Sequence, residues 1–561
     1  KKTKEPSRRN TDTPSRMPTV QSLILLFLAI VIGPQQTWQL SLPTDPTYQA
    51  GVVEYMPGVG KDKSKVHESL KRMKAVIESD GTRDLDILVF PEFVLNDRTF
   101  RTFVPDPKLQ ISPCEIPNYD HFLTELSCAA RSRQLYLVVN LVEKVFCAND
   151  TTTVGRCDAS GLNSYNTNVV FDRQGRVISR YRKTHLYRYE WYDIKVLPQP
   201  EHATFTTDFG VTFGHFICFD MLYWDPAAVL VKEQGITDII YTTYWFSELP
   251  FLTAVQLQEG WAFGNDVNLL AADASKPSGQ NTGSGIYAGR LGRLVAAIYE
   301  EPTTQLLTAS VPKRAYRQNY QAPPVVQPNF VPEVVTPRFT KLDLLRDYNV
   351  DIFKTQLLPA DFTTVNETLC YDSQFCCHFQ AARVIVSNAN TYVAYRYRLA
   401  AYSGSRATHQ RVDPAALKVC AVIACTNADL YSCGRIFPAG VTVGNKYYFS
   451  ALNVSASFPH APRRLIMPSS VDGSIMPLPV HTYEWQEFES NNTTAISISL
   501  TYPKLDILTF GIWGNYYSTE VSTHNFDPVW QPAHGPHSGA SQLVGVKLLT
   551  VSLLLVFMKF F

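Results

Sequence analysis

Residues 85–92 read LDILVFPE. The run Leu85–Phe90 is a short, nearly continuous apolar stretch, which predicts a strand buried on both faces. Pro91 cannot donate to a sheet ladder, so it ends the strand and leaves Glu92 in the loop beyond. On either side, helical and strand-like stretches alternate. Tyr48–Tyr55 is a short apolar run upstream, and Val66, Leu70, Met73 and Ile77 recur at helical spacing. Downstream, Asp120–Arg133 predicts a helix and Leu135–Val142 a strand. Strands are expected over Asn168–Phe171, Val177–Tyr181 and Val211–Cys218. Helix is expected at Asp225–Glu233, strand at Asp238–Thr243, an amphipathic helix over Thr253–Asn265 and a strand over Leu269–Ala274. Alternation of this kind specifies an α/β layered fold.

The texture changes after residue 320. Pro323, Pro324, Pro328, Pro332 and Pro337 crowd a stretch expected to be a linker. Beyond it, Tyr392–Ala401, Val419–Cys425, Lys446–Asn453 and Ala495–Tyr502 are strand-like, with turn residues and most of the cysteines between them. The expected organisation is a signal-peptide region at 1–42, an α/β domain at 43–320 and a Pro-rich linker at 321–345. A smaller β-rich, disulfide-bonded domain at 346–530 and a lipid-anchor signal at 531–561 follow.

Composition narrows the function. The chain has 561 residues, with 51 Lys+Arg against 50 Asp+Glu. That balance argues against a nucleic-acid partner, which calls for a basic excess. Hydrophobic residues make up 45% and aromatics 12%, far too much apolar material for a disordered chain. No internal run reaches the roughly 18 apolar residues of a spanning helix, which excludes a polytopic membrane protein.

Both ends point to the secretory pathway. LILLFLAIVI at 23–32 has the length of a signal-peptide core, the alternative being a buried helix. Near the other end, Ser538-Gly539-Ala540, a short spacer and an apolar tail from Leu548 fit a GPI-anchor signal with Ser538 as the attachment residue. A short tail-anchored helix or a packed terminal helix are the other readings. The expected location is therefore the extracellular side of the plasma membrane, held through a lipid anchor. Sequons at Asn149, Asn366, Asn453, Asn491 and Asn492 are expected on surface loops as glycosylation acceptors.

There are 11 cysteines. In an oxidising compartment exposed thiols pair, so an odd count leaves one over. Four precede Cys218 and six follow it, so setting Cys218 aside leaves two even groups able to close internally. Cys376-Cys377-His378 lacks a second ligand pair, so disulfides are favoured over a metal, and neither a metal nor an organic cofactor is expected.

Cys218, like Glu92, ends a predicted strand, and so does Lys183. In layered α/β folds, sites collect at such strand ends. The chemistry is coherent. A thiol attacks as thiolate, a carboxylate can take its proton, and an ammonium favours the thiolate and can steady an oxyanion. Each residue also has a structural alternative: a helix cap or ion pair for Glu92, a solvated basic face for Tyr181-Arg182-Lys183, apolar filling for Cys218.

The surrounding motifs resemble those of the nitrilase superfamily. LVFPEF at 88–93 resembles its Glu motif, RYRKTHLY at 180–187 its Lys motif and GHFICFDMLYWDPA at 214–227 its Cys motif. TTYWFSELPFLTAVQLQEGWAFGNDVNLLAADAS at 242–275 and TGSGIYAG at 282–289 resemble the vanin/biotinidase branch, the insect vanin-like members in particular. The resemblance implies an αββα sandwich followed by a β-rich domain, on a secreted or GPI-anchored glycoprotein. It implies Glu92 as proton acceptor, Lys183 as proton donor and oxyanion support, and Cys218 as nucleophile. Glu190 corresponds to a second acid that orients the lysine. The implied substrate is a small linear amide, pantetheine first; a biotin amide, or a non-catalytic scaffold on the same fold, is the alternative. Val94-Leu95-Asn96 departs from the more polar segment expected there, which points to a different substrate mouth. Trp245, Phe246 and Trp261 are candidates for a pocket wall or for core, core being expected for two of them. The glycines from Gly279 to Gly292 are expected in a substrate-side loop or a plain turn, with no GK[ST] to make a phosphate site.

Overall fold

The computed structural model describes residues 40–58, 63–147, 157, 160–320, 339, 341–385, 393–405, 415–441, 443–444 and 447–517. Residues 1–39 of the signal-peptide region, Asn149, the Pro-rich stretch at 321–338 and the anchor signal with Ser538 lie outside these residues.

The first half is built from β1 (Thr47–Glu54), α1 (Lys63–Ile77), β2 (Ile87–Val89), α2 (His121–Arg133), β3 (Tyr136–Phe146), β4 (Leu162–Phe171) and β5 (Val177–Arg182). It continues with β6 (Thr204–Thr206), β7 (Thr212–Ile217), α3 (Val229–Lys232), β8 (Asp238–Thr243) and β9 (Glu248–Leu249). Then come α4 (Ala254–Asn265), β10 (Asn268–Asp273), β11 (Ser284–Ala288), β12 (Arg293–Ala297) and β13 (Gln305–Pro312). One six-stranded sheet runs β13-β1-β2-β3-β4-β5, a second β12-β11-β10-β8-β7-β6. Val52, Ile87, Val89, Phe213, Ile240 and Leu270 fill the space between them. On the outer face of the first sheet, Val66, Leu70 and Met73 of α1 and Leu126 of α2 pack against Leu88 and Val139. On the outer face of the second, Leu257 and Trp261 of α4 pack against Tyr241 and Leu269. This is an αββα sandwich, and its strands read as apolar runs because both faces are covered.

The C-terminal half is β-rich. One five-stranded sheet is ordered Lys354–Leu357, Arg396–Ser405, Ala416–Cys425, Ile507–Tyr516, Arg464–Asp472. The other is ordered Thr364–Cys370, Cys376–Ile385, Tyr447–Pro459, Thr493–Leu500, Tyr483–Glu489. Their facing side chains, among them Leu399, Val422, Phe510, Val454 and Ile498, form a sandwich core. Cys377–Cys420 ties the two sheets together, while Cys370–Cys376 and Cys425–Cys433 close short loops. Cys114–Cys128 and Cys147–Cys157 lie in the first half, so the cysteines before and after Cys218 do pair within their own groups.

Three expectations need correction. Helix α4 is not amphipathic: it is buried nearly all round, because Leu465 and Met467 of the C-terminal half cover the face that the second sheet leaves open. The contact is close, since a Cβ at Gly260 would lie 2.8 Å from the Pro468 carbonyl oxygen and one at Gly264 2.8 Å from that of Ile466. The stretch between Gly279 and Gly292 is not a plain loop, for it contains strand β11, paired with β10 and β12. Among the sequons, Asn491 and Asn492 are exposed in a turn. Asn366 and Asn453 lie instead within strands, Asn366 exposed and Asn453 half-buried with its amide bonded to Ser499.

Candidate active site

The ends of β2, β5, β7 and β8 meet at one edge of the sandwich. Glu92 follows β2, and its N–H donates to the Thr243 carbonyl at the end of β8, 3.3 Å. Phe93 then turns the chain with φ 55°, and its N–H donates to Asn140 Oδ1 of β3 at 2.9 Å. Lys183 follows β5, where its N–H donates to the Asn166 carbonyl at 2.9 Å. Neighbouring strand residues face opposite ways. Thus Arg182 turns to Glu143 at 2.7–2.8 Å while Lys183 points into the site. The Tyr181-Arg182-Lys183 stretch is buried, not a solvated basic face.

Cys218 follows β7 and has φ 49°, in the left-handed region. A side chain held there costs on the order of 1–3 kcal/mol, which the surroundings must offset. Asp220 does much of that. Its carboxylate accepts from Ile217 N at 3.1 Å, just before Cys218, from His185 N at 2.8 Å, just after Lys183, and from Tyr181 OH at 2.7 Å. One buried aspartate therefore ties the cysteine turn to the lysine turn. The Cys218 carbonyl accepts from Tyr241 OH at 3.0 Å. Among the described cysteines Cys218 is the one without a disulfide partner.

The polar cluster is buried. Glu92 and Lys183 are each 1% exposed and Cys218 5%. Lys183 Nζ donates to Glu92 Oε1 and to Glu190 Oε2, both at 2.7 Å. Asn166 Nδ2 donates to Glu92 Oε1 at 2.7 Å and to Glu190 Oε1 at 2.8 Å. Asn140 Nδ2 donates to Asn166 Oδ1 at 2.7 Å and to Asn168 Oδ1 at 3.2 Å, and the latter oxygen also accepts from Thr242 at 2.7 Å. Tyr244 N–H donates to Glu92 Oε2 at 2.9 Å, so both oxygens of that carboxylate are held. Glu190 Oε2 also accepts from Tyr187 N at 2.7 Å.

The electrostatics follow from this packing. Burial pushes the Cys218 thiol well above its usual range, and the Glu92 charge adds to the shift. Lys183, the Thr243 hydroxyl and the Tyr244 amide pull the other way. Burial alone would favour neutral Lys183, but Glu190 and Glu92 outweigh it and the ammonium is held well above its ordinary value. Burial raises the Glu190 carboxyl, with the Glu92 charge opposing its ionisation further. An ammonium has three N–H donors. Two are engaged by the carboxylates, which leaves one to meet an oxygen on an incoming carbonyl.

The three strand-end residues and Glu190 therefore share one site. Asn140, Asn166, Asn168 and Asp220 were missed. The sequence offers only a faint pattern for the asparagines, Asn166 and Asn168 sharing one face of a strand and Asn140 interrupting an apolar run, with no charge to single them out. Trp245 and Trp261 are core. Phe246 is half-exposed at the mouth, 5.6 Å from the Tyr187 ring, and the Arg188 guanidinium lies 4.9 Å from its centroid. Val94, Leu95 and Asn96 line no mouth. The two apolar side chains are fully buried in the outer core, and Asn96 bonds the backbone of Val142 and Phe100.

Residues 50–318 match the carbon–nitrogen hydrolase family, and residues 342–520 match the vanin C-terminal domain. Vanin-like protein 1 of Drosophila melanogaster is 40% identical over 539 residues, covering 93% of this chain and 95% of that protein. This chain belongs to the vanin-like carbon–nitrogen hydrolases. A Canis lupus familiaris pantetheinase is 30% identical over 422 residues, covering 70% of this chain and 76% of its own length. A solved nitrilase-superfamily member from Saccharomyces cerevisiae is 18% identical, with a TM-score of 0.39, over 52% of this chain and 98% of that one. A vanin-like carbon–nitrogen hydrolase acts on amides, and its chemistry is amide hydrolysis.

Proposed function

We propose that the chain cleaves a small linear amide through a thioester on Cys218, with pantetheine as the substrate and pantothenate and cysteamine as the products. The observation that carries this reading is the unpaired Cys218 beside the buried Glu92–Lys183 pair. Glu92 takes the thiol proton as the sulfur attacks the carbonyl carbon, and the Lys183 ammonium meets the oxyanion. Glu92 returns that proton to the leaving amine as the C–N bond breaks. It then takes a proton from water, whose oxygen attacks the thioester, and the cysteine leaves as a thiol. Glu190 and Asn166 orient the lysine and the base. The pantetheinases among the relatives support pantetheine in particular.

The same reading places the protein at the cell surface through the secretory pathway, glycosylated at its exposed sequons and held by a GPI anchor at Ser538. Cleavage by a phosphatidylinositol-specific phospholipase, releasing the protein from intact cells, tests the anchor.

Incubation with pantetheine and with biocytin, reading free amine, tests the substrate. Cysteamine release that Cys218→Ala abolishes is the expected result. Release from biocytin alone transfers the reading to a biotin-amide hydrolase. Release from neither, with a thiol inert to alkylation, favours a non-catalytic scaffold.

A further inference from the structure

A second pair of buried carboxyls lies behind the site. Glu54 ends β1 and Asp273 ends β10, in different sheets, and the chain just beyond joins the two: Tyr55 N donates to the Asp273 carbonyl at 3.2 Å and Ser275 N to the Tyr55 carbonyl at 2.8 Å. Both side chains are completely buried. Ser284 bridges them, its hydroxyl donating to Glu54 Oε2 at 2.6 Å while accepting from Asp273 N at 2.8 Å. Thr282 Oγ1 donates to Glu54 Oε1 at 2.6 Å and Gly283 N to Oε2 at 3.2 Å. Asp273 Oδ1 accepts from Trp245 N at 2.9 Å, while among the described residues no donor reaches Oδ2.

The titratable groups facing this pair are Glu92 from the loop after β2, Tyr241 and Tyr244 at the end of β8, Tyr287 on β11, and Tyr299. None is a cation. Two carboxyls buried together in such a place resist double ionisation. Burial raises both groups, Glu54 to about 7, and at Asp273 the Glu54 charge adds to the rise.

The link to the base is the backbone. Tyr244 N–H holds Glu92 Oε2, and the next amide, Trp245 N–H, is held by Asp273 Oδ1. We propose that Asp273 is a positioning residue for Glu92. As the protonated partner of Glu54, it fixes the Tyr244–Trp245 backbone without setting a second negative charge behind the base. No part of the described activity assigns it a role. The inference rests on the proposed function only for its kinetic arm.

The test compares Asp273→Asn with Asp273→Ala. The asparagine keeps an oxygen for Trp245 N–H and replaces the acid proton with an amide N–H, so its kcat/KM on pantetheine stays within about threefold of the parent. The alanine removes both, and kcat falls by roughly 10²-fold with KM little changed, as expected for a misplaced base. An activity-independent readout accompanies these. Difference infrared spectra at pH 7, parent minus Asp273→Asn, show the C=O stretch of a protonated carboxylic acid that shifts in D2O. Absence of that band, equal kinetic damage in both variants, or full activity in Asp273→Ala overturns the proposal. If the alanine variant does not fold, the band and the asparagine kinetics still decide it. A band present in a protein inactive on every amide separates failure of the substrate reading from failure of this one.

Discussion

A single amide nitrogen of Asn166 lies 2.7 Å from Glu92 Oε1 and holds that carboxylate in the same position as Lys183 Nζ, which is also 2.7 Å away. The same nitrogen reaches Glu190. One uncharged side chain on β4 thus spaces two acids that share a single ammonium. Hydrogen bonds to charged groups contribute on the order of 1.5–3 kcal/mol. Asn166→Ala is therefore expected to lower kcat/KM by about 10- to 100-fold, mostly in kcat. Asn166→Asp, which adds a third buried carboxylate, is expected to be worse. Steady-state kinetics on both variants check this, and an Asp variant better than the Ala variant contradicts it.

The charges around Cys218 give a signed prediction for its reactivity without substrate. Burial and Glu92 raise the thiol, and Lys183 lowers it. Glu92→Gln removes one raising cause, so its half-maximal rate of alkylation by iodoacetamide moves to lower pH, although the variant is a poor amidase. Lys183→Met moves it to higher pH. Alkylation rates across pH 6–10, with the modified cysteine located by peptide mass, read both shifts. Slower labelling of Glu92→Gln at neutral pH counts against the arrangement.

His215 on β7 sets part of the acid stability. Its ring is fully buried, with Nε2 2.8 Å from Ser179 Oγ, and burial lowers its pKa to about 3. A depressed folded pKa means that the unfolded chain binds the proton first. The stabilisation is complete above the unfolded value of about 6.5 and is lost as pH falls toward 3, by about 1.4 kcal/mol per unit. His215→Gln keeps a polar partner for Ser179 without titrating. Its stability is expected to fall less steeply than the parent's between pH 6 and 4 in chemical denaturation, and equal slopes contradict the assignment.

Helix α4 packs directly against the strand Arg464–Asp472 of the C-terminal half. At Gly264 an added methyl meets the Ile466 carbonyl at 2.8 Å and the Met467 Cβ at 3.0 Å. Backbone cannot step aside as a side chain can, so Gly264→Ala costs about 1–3 kcal/mol of overpacking against about 1 kcal/mol gained in helix propensity. A net fall of a few degrees in Tm is expected, with activity intact below the transition. A raised Tm contradicts the close approach.

The strand-and-helix alternation was legible because the αββα layers leave apolar runs and helical spacing in plain view, from Ile87–Val89 to Asp238–Thr243. The residues at the ends of β2, β5 and β7 were legible for the same reason: a strand has to end, and its end is where a polar side chain can be presented. Asn140 and Asn166 were not. Their importance comes from partners 24 to 74 residues away, and a neutral amide carries no charge signature in the sequence. Helix α4 was misread as amphipathic because its second covering, the strand Arg464–Asp472, arrives some 200 residues later. The apolar Val94-Leu95 pair was read as a sign of a different substrate mouth, but after the turn at Phe93 both side chains lie in the core.

The most direct measurement is acid quenching during turnover of pantetheine, followed by intact and peptide mass spectrometry. The account predicts a pantothenoyl adduct on Cys218 alone. The adduct should accumulate if thioester hydrolysis is slowed, and be absent in Cys218→Ala. Turnover with no adduct on Cys218, an adduct on another residue, or undiminished cysteamine release from Cys218→Ala contradicts it.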